Sequence, residues 1–199
     1  MKKSLFLAVI LTLTTAVQAA RAETYEIDVA HSSATFSIRH IFSQVKGRFT
    51  QMSGSITYDP KEPEKASVVA KIASASINTD NEKRDAHLKN ADFFDVEKYP
   101  DITFQSKGAK KEGDRLKVTG TLNMHGVEKE VTLDVEVLGV GPGPRGRAVA
   151  GFEATTTINR KDFGINWNRA LDQGGVMLGE DVKVTLSIEA GTKPKEAGK

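Results

Sequence analysis

No cysteine occurs anywhere in the 199 residues. That absence excludes disulfides, thiolate nucleophiles, thiolate metal sites and a lipid-modified cysteine anchor together. Tryptophan occurs once, proline six times, and aromatic residues make up 7% of the chain. No apolar run is long enough to span a bilayer, because the longest, Leu5 to Val17, is short and interrupted by threonine. An excess of one charge is also missing. The formal charge is +2, but Lys2, Lys3 and Arg21 lie in the amino-terminal segment, and the chain without that segment carries −1. Nothing in this balance calls for nucleic acid or another polyanion as partner. GxSxG, HExxH, P-loop and calcium-loop spacings are absent, and no cofactor is implied.

The amino terminus has the features of an export signal. Lys2-Lys3 supply a positive start, Leu5 to Val17 an apolar stretch, and Ala20-Arg21-Ala22 a small-residue cleavage pattern, with cleavage expected after Ala22. The domain organisation read from this is a signal peptide over 1–22, one domain over 23–190, and a flexible Lys-, Pro- and Gly-containing tail over 191–199. A cysteine-free exported chain fits the periplasm.

What remains is dominated by period-two alternation, the pattern of half-buried antiparallel strands. Tyr25, Ile27 and Val29 begin it, followed by Ala34 to His40, Val45 to Phe49, Met52 to Tyr58 and Val68 to Ile72. After Pro100 it resumes in Ile102 and Phe104, then Leu116 to Met124, Val127 to Val137, Ala148 to Ile158 and Val182 to Ile188. Asp59-Pro60, Lys110 to Asp114, His125-Gly126 and Gly139 to Gly146 read as turns or loops. The count is about eight strands, an antiparallel barrel or sandwich. Gly47, Gly54 and Gly120 share the parity of their strands' apolar residues, as do Ala34, Ala70, Ala150 and Ala154. Small inward residues favour a barrel with an unfilled interior, although the same glycines would also serve bends or bulky neighbours.

One stretch departs from the alternation. Thr79-Asp80-Asn81-Glu82 reads as a capping box opening a short helix over about 80–95, with Thr79 as the N-cap. It carries Ala86 and Leu88, leads into Phe93-Phe94, and is stopped by Pro100. Such an insertion would plug one end of a barrel.

The ordered set Ile27-Asp28, His31-Ser32, Val45-Lys46-Gly47-Arg48-Phe49, Arg84-Asp85-Ala86-His87-Leu88, Asp92-Phe93-Phe94-Asp95, Tyr99-Pro100, His125-Gly126-Val127 and Phe163-Gly164 closely resembles the YceI-like family. The resemblance covers almost the whole chain beyond residue 22. It implies an all-β, eight-stranded antiparallel lipocalin-like barrel in the periplasm. It also implies binding of a polyisoprenoid, a quinone-like lipid or a fatty amide in an elongated cavity, with homodimers common and no catalysis.

Sequestration is the chemistry such a barrel offers. Hiding ten methylene equivalents at about 0.8 kcal/mol each contributes roughly 8 kcal/mol, which before ordering costs corresponds to about micromolar binding. The expected lining is Phe36, Ile38, Phe49, Ile72, Phe104, Leu122, Leu133, Phe152, Leu186 and Ile188, with Phe93 and Phe94 at the plugged end or the entrance. Core packing would account for each of these singly, so the set carries the inference. Arg84, Asp85 and His87 are read as headgroup-binding or structural groups. The alternative is an envelope hydrolase or isomerase using Asp85 and His87 as acid and base. A third reading is a structural protein with an incidental cavity. His31, His40, His87 and His125 lack metal-ligand spacing, so a metal site would have to be assembled by the fold. Trp167 is expected to cap the cavity or support a dimer contact.

Overall fold

The computed structural model describes residues 22–172 and 174–194. The signal-peptide expectation for 1–21 and the last five residues of the expected tail lie outside the described residues. Eleven strand segments are present: β1 (Glu23–Ile27), β2 (Ser33–His40), β3 (Ser43–Phe49), β4 (Met52–Tyr58), β5 (Ser67–Ala73), β6 (Ile77–Asn78), β7 (Asp101–Glu112), β8 (Arg115–Met124), β9 (Val127–Pro142), β10 (Ala148–Asn159) and β11 (Leu178–Gly191). The single α-helix among the described residues, α1 (Glu82–Lys89), lies between β6 and β7.

Six of these segments are the halves of three bent strands. β1 pairs with β4 and β2 with β3, so residues 23–40 and 43–58 form one long hairpin bent at Val29–His31 and at Thr50-Gln51. In the same way β5 pairs with β4, and β6 pairs with β3 after a one-turn 3-10 interruption at Ser74–Ser76. Counted as continuous strands, the sheet is an eight-stranded antiparallel meander. It closes where β11 pairs with both β1 and β2, including Ile27↔Ala190 and Phe36↔Val184. Closure removes the sheet edges that a flat sheet would expose. The expected eight-stranded barrel with one helical insertion is the fold observed.

Tight turns follow local chemistry. His125-Gly126 joins β8 to β9 with φ of 54° and 74°, the double positive φ of a type I′ turn. The β7–β8 turn is only Gly113-Asp114, narrower than the Lys110 to Asp114 loop read from the charges, because Lys110 to Glu112 stay paired with Arg115 to Lys117. The Gly139–Gly146 loop is likewise shortened. Gly139 to Pro142 pair with Ala148 to Gly151, since glycine weakens a strand without forbidding its backbone ladder. Gly191, expected to open the tail, ends β11 and is buried.

Gly47 and Gly120 accommodate bulky neighbours, both of them aromatic rings, whereas Gly54, at φ of 154°, lies against the backbone of Val69 and Ala70. A Cβ on Gly47 would lie 2.4 Å from Phe36 Cζ, and one on Gly120 would lie 2.5 Å from both Phe104 Cζ and the Gln105 carbonyl oxygen. Cross-strand aromatics therefore cover these glycines and shape the wall.

Buried side chains gather in two groups. One, around Tyr25, Tyr58, Leu116, Val135, Phe152 and Ala190, seals one end of the barrel. The other, around Phe93, Met124, Ile158, Phe163 and Ile165 with Leu88, Phe94 and Trp167 packed on it, lies at the α1 end. Space remains between them.

Candidate functional site

That space is a cavity of about 740 Å³, within the roughly 300–1,000 Å³ typical of ligand pockets. Inward parity along each strand produces it. Val68, Ala70 and Ile72 of β5 face the cavity while Val69 is exposed outside, and β10 sends Phe152, Ala154, Thr156 and Ile158 inward. All twelve side chains named from sequence line it: Phe36, Ile38, Phe49, Ile72, Phe93, Phe94, Phe104, Leu122, Leu133, Phe152, Leu186 and Ile188.

Aromatic packing narrows the α1 end. His87 stands edge-on to Phe93 and Trp167 at 5.0 and 5.1 Å between centroids, with Phe93 and Trp167 5.2 Å apart. Phe49 bridges Phe36 and Phe94, each at 5.8 Å. Trp167 thus sits on the cavity, the first of the two placements expected for it. The β2–β3 hairpin reaches the same rim, where Ser43, Gln44 and Val45 line the opening and Phe42 at the tip is fully exposed.

The polar trio of α1 separates. Arg84 and His87 line the cavity, and Asp85 does not. Asp85 Oδ1 accepts from both the backbone N–H and the hydroxyl of Thr79, while Arg84 donates from Nε to Thr79 Oγ1 and from Nη2 to Thr79 O, each at 2.8 Å. His87 Nε2 pairs with Asp92 at 2.9 Å. Asp85 and His87 therefore form no acid–base pair with each other; each is committed to a different partner.

The helix cap also differs from the sequence expectation. Asn81 is the N-cap, its side chain accepting from the Arg84 N–H at 3.0 Å. Asp80 takes φ of 57°, which ends helical geometry before Thr79 can cap and turns the Thr79 hydroxyl toward Arg84 and Asp85.

Arg160 is the functional candidate that sequence reasoning missed. It is 3% exposed and lines the cavity at the α1 end. Nε donates to Gly179 O at 2.9 Å and Nη1 to Ile165 O at 2.7 Å, while Nη2 has no acceptor among the described residues. Burial pushes its pKa down, opposed by the Glu180 carboxylate. The Gly179 carbonyl is available because β11 bulges between Leu178 and Val182 opposite His40 and Ile38. A sequence signal existed, since Arg160 continues the inward parity of Phe152, Ala154, Thr156 and Ile158.

Among the histidines, the fold brings one into a potential ligand group. Asp28, His31 and Glu189 place their ligand atoms within 4.8 Å of one another, exposed or half-buried. His125 Nδ1 instead meets the Phe163 carbonyl at 3.0 Å, and His40 faces the cavity. No helix among the described residues is long and apolar enough to cross a membrane.

Comparisons with known proteins agree with this architecture. The UPF0312 protein SA2479 of Staphylococcus aureus is 44% identical over 167 residues, covering 83% of this chain and 95% of that protein. The crystal structure of the Campylobacter jejuni YCEI protein superposes with a TM-score of 0.67 at 36% identity, covering 78% of this chain and 90% of that one. A polyisoprenoid binding domain from Saccharophagus degradans superposes at 0.59 with 15% identity, over 87% of this chain and 100% of that one, a likeness of fold alone. With the YceI-like domain matched over residues 25–190, this chain belongs to the YceI-like family.

Proposed function

We propose that this protein is a periplasmic, non-catalytic carrier that sequesters a polyisoprenoid or another long-chain amphiphile, such as a quinone-like lipid or a fatty amide, in the barrel cavity. The observation that carries the reading is the 740 Å³ cavity walled by Phe, Ile, Leu and Val side chains. A hydrocarbon chain transferred there from water gains about 0.8 kcal/mol per methylene. The Saccharophagus domain, described as polyisoprenoid binding, adds that this architecture is compatible with such a ligand. The leader over 1–22 would deliver the protein across the inner membrane and be removed.

The commitments of Asp85 to Thr79 and of His87 to Asp92 support binding over catalysis, because neither group is left poised against a reacting atom. Organic extraction of protein purified from its native envelope, followed by mass spectrometry, tests the proposal. The expected result is one class of long-chain amphiphile near stoichiometric amount. Protein that carries none, and whose Trp167 fluorescence does not respond to added geranylgeraniol, would sink it.

A further inference from the structure

The cavity is apolar over most of its wall, but the Lys, Arg and His side chains on it share that wall with no carboxylate among the described residues. They are Lys46, Arg84 and Arg160, with His40 and His87. Arg84 spends Nε and Nη2 on Thr79, and His87 is engaged by Asp92. Arg160 differs. Its guanidinium is buried, its hydrogen-bond partners are two backbone carbonyls, Glu180 acts on it only at a distance because that carboxylate is bonded to Lys161 and Asn159, and Nη2 donates to nothing among the described residues. A buried cation without a carboxylate partner is costly, and a buried donor without an acceptor adds to that cost. Both are relieved by one thing, an oxyanion arriving in the cavity.

Resting on the reading of the cavity as an amphiphile site, we propose that Arg160 is the headgroup anchor, and that the ligand is a single-chain lipid ending in an oxyanion, a phosphate or a carboxylate. The head lies at the α1 end with one oxygen on Arg160 Nη2, and the chain runs toward the sealed end around Tyr58 and Phe152. The orientation follows from the wall. All five basic groups belong to β2, β3, α1 or the 3-10 turn that follows β10, on the side where the β2–β3 hairpin and Trp167 form the rim, whereas the other end offers Leu116, Val135 and Phe152 and no basic group among the described residues. Guanidinium suits this task because its planar fork stays charged and matches phosphate and carboxylate oxygens. Two of its arms are fixed by Gly179 and Ile165, so the third is held in place before the ligand arrives.

The test measures binding by titration calorimetry for two matched pairs, geranylgeranyl monophosphate against geranylgeraniol, and palmitoleic acid against palmitoleyl alcohol. At least one oxyanion should bind the native protein about ten- to a hundredfold more tightly than its alcohol, the range of a hydrogen bond to a charged group. Whichever pair shows the larger preference identifies phosphate or carboxylate as the head. Arg160→Gln should reduce that preference to within about threefold, with Arg160→Lys intermediate.

Because Arg160 also braces Gly179 and Ile165, the native protein supplies a second readout that does not depend on the variant's fold. In ¹⁵N-arginine-labelled protein the Arg160 Nη resonances should shift with the oxyanion and not with the alcohol. Equal affinity for oxyanion and alcohol, a preference that survives in folded Arg160→Gln, or unshifted Arg160 resonances would overturn the anchor assignment while leaving an amphiphile site intact. Failure of all four lipids to bind would overturn the amphiphile reading itself.

Discussion

Asp28 and His31 hold the bend that turns β1 into β2. Asp28 Oδ1 accepts from the Ala30 N–H at 3.0 Å, and Oδ2 meets His31 Nδ1 at 3.1 Å, with Glu189 Oε1 3.9 Å from the same nitrogen. The hydrogen bond from His31 is the main cause holding the Asp28 carboxyl below its ordinary 3.8, and Asp28 raises the His31 imidazole above its ordinary 6.5. The sign follows for each group. The Asp28 contribution is present above 3.8 and fades as pH falls through its depressed value; that of His31 is complete below 6.5 and is lost as pH rises through its elevated value. His31 is exposed and Asp28 only half-buried, so the effect on stability is small and the titration itself is the better observable. By NMR, His31 should titrate above 6.5 in the native protein and move down toward that value in Asp28→Asn, with Glu189 still raising it. A His31 titration indifferent to the substitution would refute the pairing. At this scale the sequence was a partial guide. Arg84-Asp85 beside His87 has the composition of an active site, and only the fold reveals that Thr79 occupies both Arg84 and Asp85. Arg160 carried no such signal beyond its parity, because burial of one arginine among many is a tertiary fact.

The helix α1 is short and contributes no fully buried side chain. An isolated helix of this length is marginal in water, so α1 depends on its ends. Asn81 caps the start, the Asn90 N–H returns to His87 O, and Phe94 and Val96 N–H groups bond back to Leu88 and Lys89 carbonyls. Together these aim Phe93 and Phe94 into the barrel. Asn81→Ala should cost about 0.5–2 kcal/mol of helix stability. The expected reading is faster amide exchange over Glu82–Lys89 with exchange in β8 to β11 unchanged; equal protection in native and variant protein would count against the cap. The strands were far more legible than this helix boundary. Alternation identified each long strand because one face of each meets an apolar interior, whereas β6, two residues long, is held only by its pairing with β3 and leaves no pattern. The capping motif misled by two residues because Asp80 adopts a left-handed conformation, a choice that no local propensity dictates for that position.

At the scale of the whole molecule, stability and binding draw on the same interior. Ala70 lies midway along β5 between Gly54 of β4 and Phe104 of β7, yet it is only half-buried, since its side chain borders the cavity. Ala70→Phe should therefore fill space with little loss of stability and weaken binding of geranylgeraniol by about tenfold or more, consistent with losing room for two methylenes at about 0.8 kcal/mol each. Urea unfolding and Trp167 quenching on the same sample separate the two effects; unchanged affinity in a folded variant would mean the chain does not pass that point. The alternating pattern determined on its own that this protein is antiparallel and all-β, which faces turn inward, and which aromatics line the interior, because period-two burial is a local property of every strand. Tertiary structure decided the rest. Closure of β11 on β1 and β2 made a barrel of the meander, rings over Gly47 and Gly120 set how much of the interior stayed open, and the β11 bulge gave Arg160 a buried seat with one arm free. Those outcomes depend on which side chains meet across strands distant in sequence, and no stretch of the chain read alone contains that information.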